Sequence, residues 1–258
     1  MTLPTLFLSH GAPTTAIAKT PASAFLRSLG SIVGRPKALL VVSAHWEERE
    51  AALGLGTDTI HDFYGFPQAL YRMSYPAPAA EETAARATAL LADAEIAART
   101  DTARGRDHGA WVPLILAWPD ATIPVTQLSL IGGADPARHF AIGQALAPLR
   151  DEGVLIVGSG SATHNLRARP TPAPAEWASR FVDWLDRTLD AGDDAALLDW
   201  QRAAPHAEIN HPTSEHFDPI FVARGAAAGE RATRLHASWE FGSLSMNAYA
   251  FGALGHAP

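Results

Sequence analysis

Short apolar runs alternate with amphipathic stretches along this chain. Four runs that are apolar on both faces indicate buried strands: residues 3–8, 37–43, 122–130 and 153–159. Four stretches have the apolar spacing or the terminal residues of helices: 79–94, 136–150, 177–189 and 212–228. Strands that alternate with helices predict an α/β fold, a single domain with a central, mostly parallel sheet covered by helices on both faces. The segment 234–251 is compatible with a strand, a helix or one after the other.

Two of the helices have recognisable starts. Asp135 is a plausible N-cap and is followed by Pro136, which suits the first helical position. Thr213 or Ser214 is expected to cap the helix of residues 212–228, which would place His216 in its first turn.

Composition narrows the class of protein. The chain has 258 residues, 47% of them hydrophobic and 18% charged, which is ordinary for a globular protein. The formal charge of −7 argues against nucleic acid as the main partner. No apolar run is long enough to span a membrane and no export signal is visible, so the cytoplasm is the expected compartment. The chain contains no cysteine, which excludes disulfides and thiolate nucleophiles.

Histidines carry the candidate chemistry. Four short motifs contain His10, His45, His164 and His216, and the first three each follow an apolar run. Strand ends of an α/β fold converge on the edge of the sheet where such folds keep their sites. Imidazole is the commonest metal ligand, and no cysteine competes for that role. The pattern therefore predicts an enzyme with a single metal ion.

Other interpretations of these motifs stay open from the residues alone. His10 and His45 could instead cap a helix or pack against a neighbour. The small residues before His164 could form a phosphate-binding turn or a flexible turn, although they match neither a Walker A motif nor a dinucleotide fingerprint. On a helix, Glu215 and His216 would point about 100° apart, so only one of them should reach a given ion.

Five further residues are candidates for proton transfer or for a substrate pocket. His108, expected in a loop after Asp107, could transfer protons or only belong to a turn. His61 has a similar loop setting and could belong to a substrate pocket or be structural. Tyr64, Trp111 and Trp239 could wall an aromatic pocket, or could simply pack in the core.

Taken together, the motifs resemble the class III extradiol ring-cleaving dioxygenases. The matching branch is that of the 4,5-DOPA dioxygenases, in the LigB-type superfamily of protocatechuate 4,5-dioxygenase catalytic subunits. Eight stretches match in family order over nearly the whole chain: residues 7–13, 41–46, 59–70, 75–78, 107–111, 164–166, 212–216 and 242–246. Each stretch is weak alone, and the set is specific for the family rather than for the substrate.

The resemblance implies one catalytic domain over residues 1–258 and a divalent metal, Fe(II) for activity, with Zn(II) as a plausible bound metal. His10 and His45 match the family's two metal-binding histidines. The third ligand is a glutamate in protocatechuate-type relatives and a histidine in this branch, so His216 is its match and Glu215 the alternative. His164 matches a histidine that acts as acid and base or as a fourth ligand to zinc. His108 matches a second active-site histidine that orients or protonates substrate.

The expected activity is oxidative opening of a catechol ring, of DOPA or a related aromatic diol, with O2 to give a semialdehyde. A histidine that titrates near neutrality can take a proton from the catechol, and His164 is the first candidate with His108 as the second. The alternatives are a zinc-dependent hydrolase or amidase on the same site, and a metal-binding homologue without catalysis. The chain carries the full motif set, so a monomer and a homo-oligomer are both compatible with it.

Overall fold

The computed structural model describes residues 2–227 and 229–254. Its strands are β1 (Thr5–Ser9), β2 (Ala38–Glu48), β3 (Ala51–Gly54), β4 (Ala98–Asp101), β5 (Val125–Ile131), β6 (Val154–Gly160), β7 (Ala232–His236), β8 (Trp239–Glu240), β9 (Leu244–Ser245) and β10 (Ala248–Phe251). Its α-helices are α1 (Pro21–Val33), α2 (Glu81–Asp93), α3 (His108–Ala117), α4 (Pro136–Leu146), α5 (Glu176–Ala191), α6 (Asp194–Leu198), α7 (Trp200–Ala203), α8 (Ala207–Asn210) and α9 (Pro219–Ala226).

One large sheet organises the molecule, with strand order β4-β3-β5-β2-β6-β1-β10-β7. The middle strands β5, β2, β6 and β1 are all parallel, as are β3 and β4. The antiparallel pairs are β3 with β5, β1 with β10 and β10 with β7. The predicted α/β fold with a mostly parallel sheet is therefore confirmed.

Helices cover both faces of the sheet because its strands are apolar on both sides. One face packs residues such as Leu39, Val41 and Val157 against α1 and α3. The other face packs Leu40, Val42 and Ile156 against α2, α4 and α9. A third apolar cluster joins β1 and β10 to α5 and α9. Because helices cover both faces of the sheet, a site can form at the edge where the carboxyl ends of the parallel strands lie.

The four predicted strands and the helices predicted over 79–94, 136–150 and 177–189 are present, with ends shifted by a few residues. The last helix differs from the prediction, because it begins only at Pro219. His216 therefore lies in the turn before the helix, and the N-cap is Asp218 rather than Thr213 or Ser214. Residue 228, at its predicted end, lies outside the described residues. The segment 234–251 forms strands.

His108 also sits differently from the expected loop. It is the first residue of α3, whose N-cap Asp107 accepts a hydrogen bond from the backbone N–H of Ala110. The cap fixes where the helix begins, and so fixes the direction in which His108 leaves it.

Among the described residues, none of the helices combines the length and the apolar character that crossing a bilayer requires.

Candidate metal centre and active site

The candidate centre is built where the parallel strands β1, β2 and β6 end. His10 directly follows β1, and Ser159 stands at the end of β6, which pairs with β1. His45 lies within β2 where its pairing with β5 is irregular: the register passes from Val42 opposite Leu128 to Glu47 opposite Leu130. Such irregularities turn a side chain away from the regular alternation of a strand. The end of β1 and the irregular stretch of β2 thus bring His10 and His45 to one place, and His45 lies within its strand rather than after it as the sequence suggested.

Close packing behind His10 requires a glycine at the next position. Gly11 has φ of +69°, and a Cβ there would lie 2.7 Å from Met246 Cε and from Thr15 Oγ1. The left-handed backbone disfavours an ordinary side chain, and a Cβ would also have to displace its two neighbours. The chain can therefore turn sharply after β1 and leave His10 facing inward.

The turn that carries His216 is fastened to the end of β6. The backbone N–H of Ser161 donates to the His216 carbonyl at 2.7 Å. A Cβ at Gly160 would collide with that same carbonyl, so only glycine lets the two segments approach so closely. The Gly-Ser-Gly-Ser sequence, which suggested a phosphate-binding or flexible turn, is thus a packed strand end.

Three histidines form a cluster that can hold a metal ion. One ring nitrogen from each of His10, His45 and His216 lies within 4.8 Å of the others. His10 Nε2 and His45 Nε2 are 3.1 Å apart. Two nitrogens bound at about 2.1 Å to one ion, with ligand angles of about 90–110°, lie about 3.0–3.4 Å apart, so this spacing suits a shared metal.

The hydrogen bonds around His10 assign its tautomer. Ser159 Oγ donates its single proton to the Gly109 carbonyl at 2.5 Å and lies 3.0 Å from His10 Nδ1. The hydroxyl can then only accept from His10, so Nδ1 carries the proton. His10 Nε2 is left with a free lone pair directed at His45, which is the state a metal requires.

His216 is oriented by the residue before it. Its Nδ1 lies 2.9 Å from Glu215 Oε1, so the carboxylate accepts the Nδ1 proton and Nε2 remains free. Glu215 is absent from the three-histidine cluster and groups instead with His164 and His216. Its position is that of a carboxylate partner to a histidine.

Burial keeps the three imidazoles neutral. It lowers the pKa of His10 and of His216 well below the ordinary value, and the neighbouring histidines lower both further. Burial, and then the charge of His108, lowers the pKa of His45 to about 4, against the opposing effect of Asp107 and Asp62. All three rings are therefore uncharged at neutral pH, and a neutral imidazole offers one ring nitrogen to a cation.

His108 stands beside this cluster, held by a carboxylate. Its ring centroid lies 3.9 Å from that of His45 and 5.4 Å from that of His10. Asp62 Oδ2 is 2.9 Å from His108 Nδ1 and 3.5 Å from His45 Nδ1. Burial opposes ionisation of Asp62, but hydrogen bonds and charge from His108 outweigh it and lower the pKa of the carboxyl.

His164 reaches the cluster from the other side. Its ring is nearly parallel to that of His216, with centroids 3.4 Å apart and an angle of 8°. The loop that carries it is tied down by a hydrogen bond from the His164 backbone N–H to the Asn210 carbonyl. Burial lowers the pKa of His164, and the Glu215 carboxylate opposes that shift.

A cavity of about 280 Å³ opens onto these histidines. Its polar lining comes from His10, His45, His108, His164, His216 and Ser161. The rest is apolar and includes Phe63, Phe66, Leu166, Leu244 and Met246. Among the described residues, the lining includes no arginine or lysine. The cavity thus pairs a polar floor of imidazoles with an apolar wall.

The four residues expected to wall the substrate lie outside this cavity. Trp111 is buried and donates to the Ile60 carbonyl, while His61 lies 3.1 Å from the Met73 carbonyl through Nε2. Both rings pack behind Phe63. Tyr64 is 92% exposed, and Trp239 is half-buried in β8. Phe63 and Phe66, from the segment that carries His61 and Tyr64, line the cavity instead.

Sequence reasoning missed the hydrogen-bonding and apolar parts of the site. It did not select Ser159, Asp62 or the wall residues Phe63, Phe66, Leu166, Leu244 and Met246. A signal was present for most of them, because residues 59–70 and 242–246 belong to the motifs that carry the family resemblance. A motif shows that a stretch matters, but not which side chain of it turns toward the site.

A family model and curated relatives of this chain agree on one family of enzymes. The family described as the catalytic LigB subunit of aromatic ring-opening dioxygenase matches residues 3–252. A Beta vulgaris protein named 4,5-DOPA dioxygenase extradiol is 44% identical over 256 residues, covering 96% of each chain. An Escherichia coli K12 protein with the same name is 38% identical, covering 95% of this chain and 93% of its own.

A solved structure shares the fold. The crystal structure of an uncharacterized protein from Escherichia coli K12 superposes with a TM-score of 0.81 at 32% sequence identity. The match covers 97% of this chain and 100% of the other.

Proposed function

Because the chain belongs to the family of catalytic LigB subunits of aromatic ring-opening dioxygenases, we propose that His10, His45 and His216 hold its metal ion. The chain is an enzyme, an extradiol dioxygenase that opens an aromatic ring with O2. We further propose that residues 1–258 act as one catalytic domain, since every proposed site residue comes from the same sheet and its flanking segments.

We propose Fe(II) as the metal of the active enzyme. Bound there, Fe(II) supplies the redox chemistry by which O2 reacts with an aromatic diol. Three neutral imidazoles also suit zinc, so Zn(II) is the competing occupant. Fe(II) oxygenase sites usually contain one carboxylate ligand. Here the nearby carboxylate, Glu215, accepts a hydrogen bond from the proposed ligand His216.

We propose that His164 and His108 transfer the protons of the reaction. Both line the cavity beside the three proposed ligands, one on each side of the cluster. An unprotonated ring nitrogen facing the substrate can take the proton of a catechol hydroxyl, and the same group can later return it. The two histidines therefore serve as the acid and base groups of ring opening.

The substrate we propose is a catechol of the DOPA type. The plant and bacterial relatives carry the name 4,5-DOPA dioxygenase extradiol. The cavity fits a single substituted ring, whose two hydroxyls would face the histidines while its carbon face lies along Phe63 and Phe66. Exclusion of water by this apolar wall strengthens the polar contacts on the other side of the ring.

One observation carries the proposal: ring nitrogens of His10 and His45 are 3.1 Å apart, and one of His216 lies within 4.8 Å of both, at the floor of the cavity. A metal ion bound between these nitrogens would take a lone pair from each of them. The experiment is anaerobic reconstitution of metal-stripped protein with Fe(II) or Zn(II), followed by O2 uptake and absorbance scans with DOPA, caffeate and protocatechuate.

We expect Fe(II), and not Zn(II), to support stoichiometric O2 uptake and a yellow ring-opened product. O2 uptake with protocatechuate or caffeate but not DOPA would correct the substrate and keep the reaction. No uptake with any catechol and either metal, together with tight retention of zinc, would reject the ring-cleavage proposal and favour a zinc hydrolase or amidase.

A further inference from the structure

We propose that Asp62 is a positioning residue, which sets the tautomer and direction of His108 so that its Nε2 faces the substrate. The inference rests on the proposed function only for what His108 then does. The hydrogen bonds that support it join protein atoms only.

Asp62 makes two hydrogen bonds with His108. Its Oδ1 accepts the backbone N–H of His108 at 2.9 Å, and its Oδ2 lies 2.9 Å from Nδ1 of the same residue. The carboxylate belongs to the segment between β3 and α2 that also carries Phe63 and Phe66. Only 21% of its side chain is exposed. The contact therefore ties the apolar wall of the cavity to a histidine of its floor.

The Asp62 carboxylate allows the neutral His108 ring only one tautomer. An ionised carboxyl group only accepts hydrogen bonds, so His108 must carry a proton on Nδ1. The neutral ring then has its lone pair on Nε2, at the end of the ring away from Asp62. His108 lines the cavity, so this nitrogen is the one available to a substrate hydroxyl.

When His108 accepts the catechol proton, the O–H bond breaks, its electron pair stays on oxygen, and an N–H bond forms at Nε2. The Asp62 carboxylate faces the charge that this step places on the ring. It also lies 3.5 Å from His45 Nδ1, so it favours the same orientation in the neighbouring proposed ligand.

The two candidate proton-transfer histidines differ in this support. His164 is held by its backbone and by stacking on His216, and its ring nitrogens accept or donate no hydrogen bond among the described residues. His108 has a fixed carboxylate partner. A ring whose proton position is fixed before substrate arrives loses less entropy on reaction.

Substitution of Asp62 by asparagine tests the tautomer directly. An amide has one accepting oxygen, and the backbone N–H of His108 always donates. When the amide oxygen accepts that N–H, its NH2 group faces His108 Nδ1, which must then accept. We expect D62N to move the proton of His108 from Nδ1 to Nε2.

The measurement is histidine ¹⁵N NMR of metal-free protein at neutral pH, with the His108 signals assigned by their loss in His108→Asn. The matched control is Asp58→Asn, four positions earlier in the same segment, at an exposed residue. We expect the Nδ1–H form in the native protein and in D58N, and the Nε2–H form in D62N. A D62N protein that keeps the Nδ1–H form overturns the proposal.

Kinetics of the Fe(II)-loaded enzyme supply a second readout. We expect D62N to lower kcat by about 10- to 100-fold with KM nearly unchanged, because the substrate contacts remain. Asp62→Glu restores the carboxylate, and we expect it to recover the Nδ1–H form and part of kcat. If D62N fails to fold, D62E still decides: an Nε2–H form in folded D62E contradicts the proposal.

The two proposals fail differently. If the native protein consumes no O2 with any metal or catechol while D62N still changes the tautomer, the proposed function is lost and the positioning role of Asp62 stands. If the native enzyme is active and D62N changes neither the tautomer nor kcat, the positioning role is lost and the proposed function stands.

Discussion

Ser159 and His10 are 149 positions apart in the chain, yet the serine hydroxyl lies 3.0 Å from His10 Nδ1. The parallel pairing of β1 with β6, in which Ser159 is the partner of Leu8, brings them together. Because the hydroxyl donates to the Gly109 carbonyl, it can only accept from His10. A serine thereby determines which nitrogen of a proposed metal ligand is free.

We expect Ser159→Ala to weaken metal binding by about 10- to 100-fold, the usual effect of removing a partner that orients a ligand. Competition with a chelator of known affinity measures it for Fe(II) and Zn(II). Ser179→Ala, which removes a hydroxyl from α5 that bonds the Ala175 carbonyl, should leave the affinity unchanged. Equal affinities in native protein and S159A would show that His10 needs no such partner.

The identity of the third ligand gives a second prediction. We expect His216→Ala to weaken metal binding by at least about 100-fold, beyond the range typical for a supporting residue. Glu215→Gln should cost about 10-fold or less, because the amide oxygen can still accept from His216 Nδ1. The exposed residue His206 offers the control His206→Asn.

The reverse order would identify Glu215 as the ligand. In that case E215Q, and not H216A, would show the larger loss of metal in equilibrium dialysis.

The apolar wall predicts the effect of Phe66→Ala. Phe66 lines the cavity, and removing its ring takes away contacts with the substrate while the histidines stay in place. We expect KM for the catechol to rise by about 10-fold and kcat to change much less. The reason is that burying part of an aromatic ring against the substrate is worth roughly 1–2 kcal/mol.

Tyr64 provides the matched control for that experiment. It lies two positions away in the same segment, but it is 92% exposed. Steady-state kinetics of Tyr64→Ala should therefore give native values. A rise in KM for Y64A as large as that for F66A would show that the segment closes over the substrate in solution.

A buried histidine outside the site predicts the acid limb of stability. Burial lowers the pKa of His139 to about 4, and its Nε2 accepts the backbone N–H of Ile131. Between pH 6.5 and 4 the unfolded state therefore binds more protons than the folded state, so stability falls as pH falls through this window. From pH 7 to pH 5 this single group contributes a loss on the order of 2 kcal/mol.

Urea unfolding at pH 7 and pH 5 measures that loss. We expect His139→Gln, which keeps an acceptor near the Ile131 N–H but does not titrate, to lose about 2 kcal/mol less than the native protein over the interval. An equal pH dependence in both proteins would assign the acid sensitivity to other groups.

The regular parts of this molecule follow from its sequence for a simple reason. The strands β2, β5 and β6 are apolar on both faces because helices cover both sides, and such runs stand out in any sequence. The prediction that His10 and His45 meet needs only the rule that parallel strands end at one edge of a sheet.

The details of the site depend on local departures from regularity, which periodicity does not encode. His45 sits in an irregular stretch of β2, and His216 lies in a turn that looked like the start of a helix. The wall could not be chosen from aromatic character alone. Trp111 is larger than Phe63 but turns into the core, where its N–H finds the Ile60 carbonyl.

The pairing of β1 with β6 also has a kinetic consequence. It joins the first strand of the chain to one that begins about 150 residues later, and parallel pairings of such distant segments form slowly because a long loop must close first. His10, His45 and His216 converge only after that closure. Metal capture during refolding should therefore be a late event, and the rate at which the refolding chain takes up metal should report how fast the sheet completes its centre.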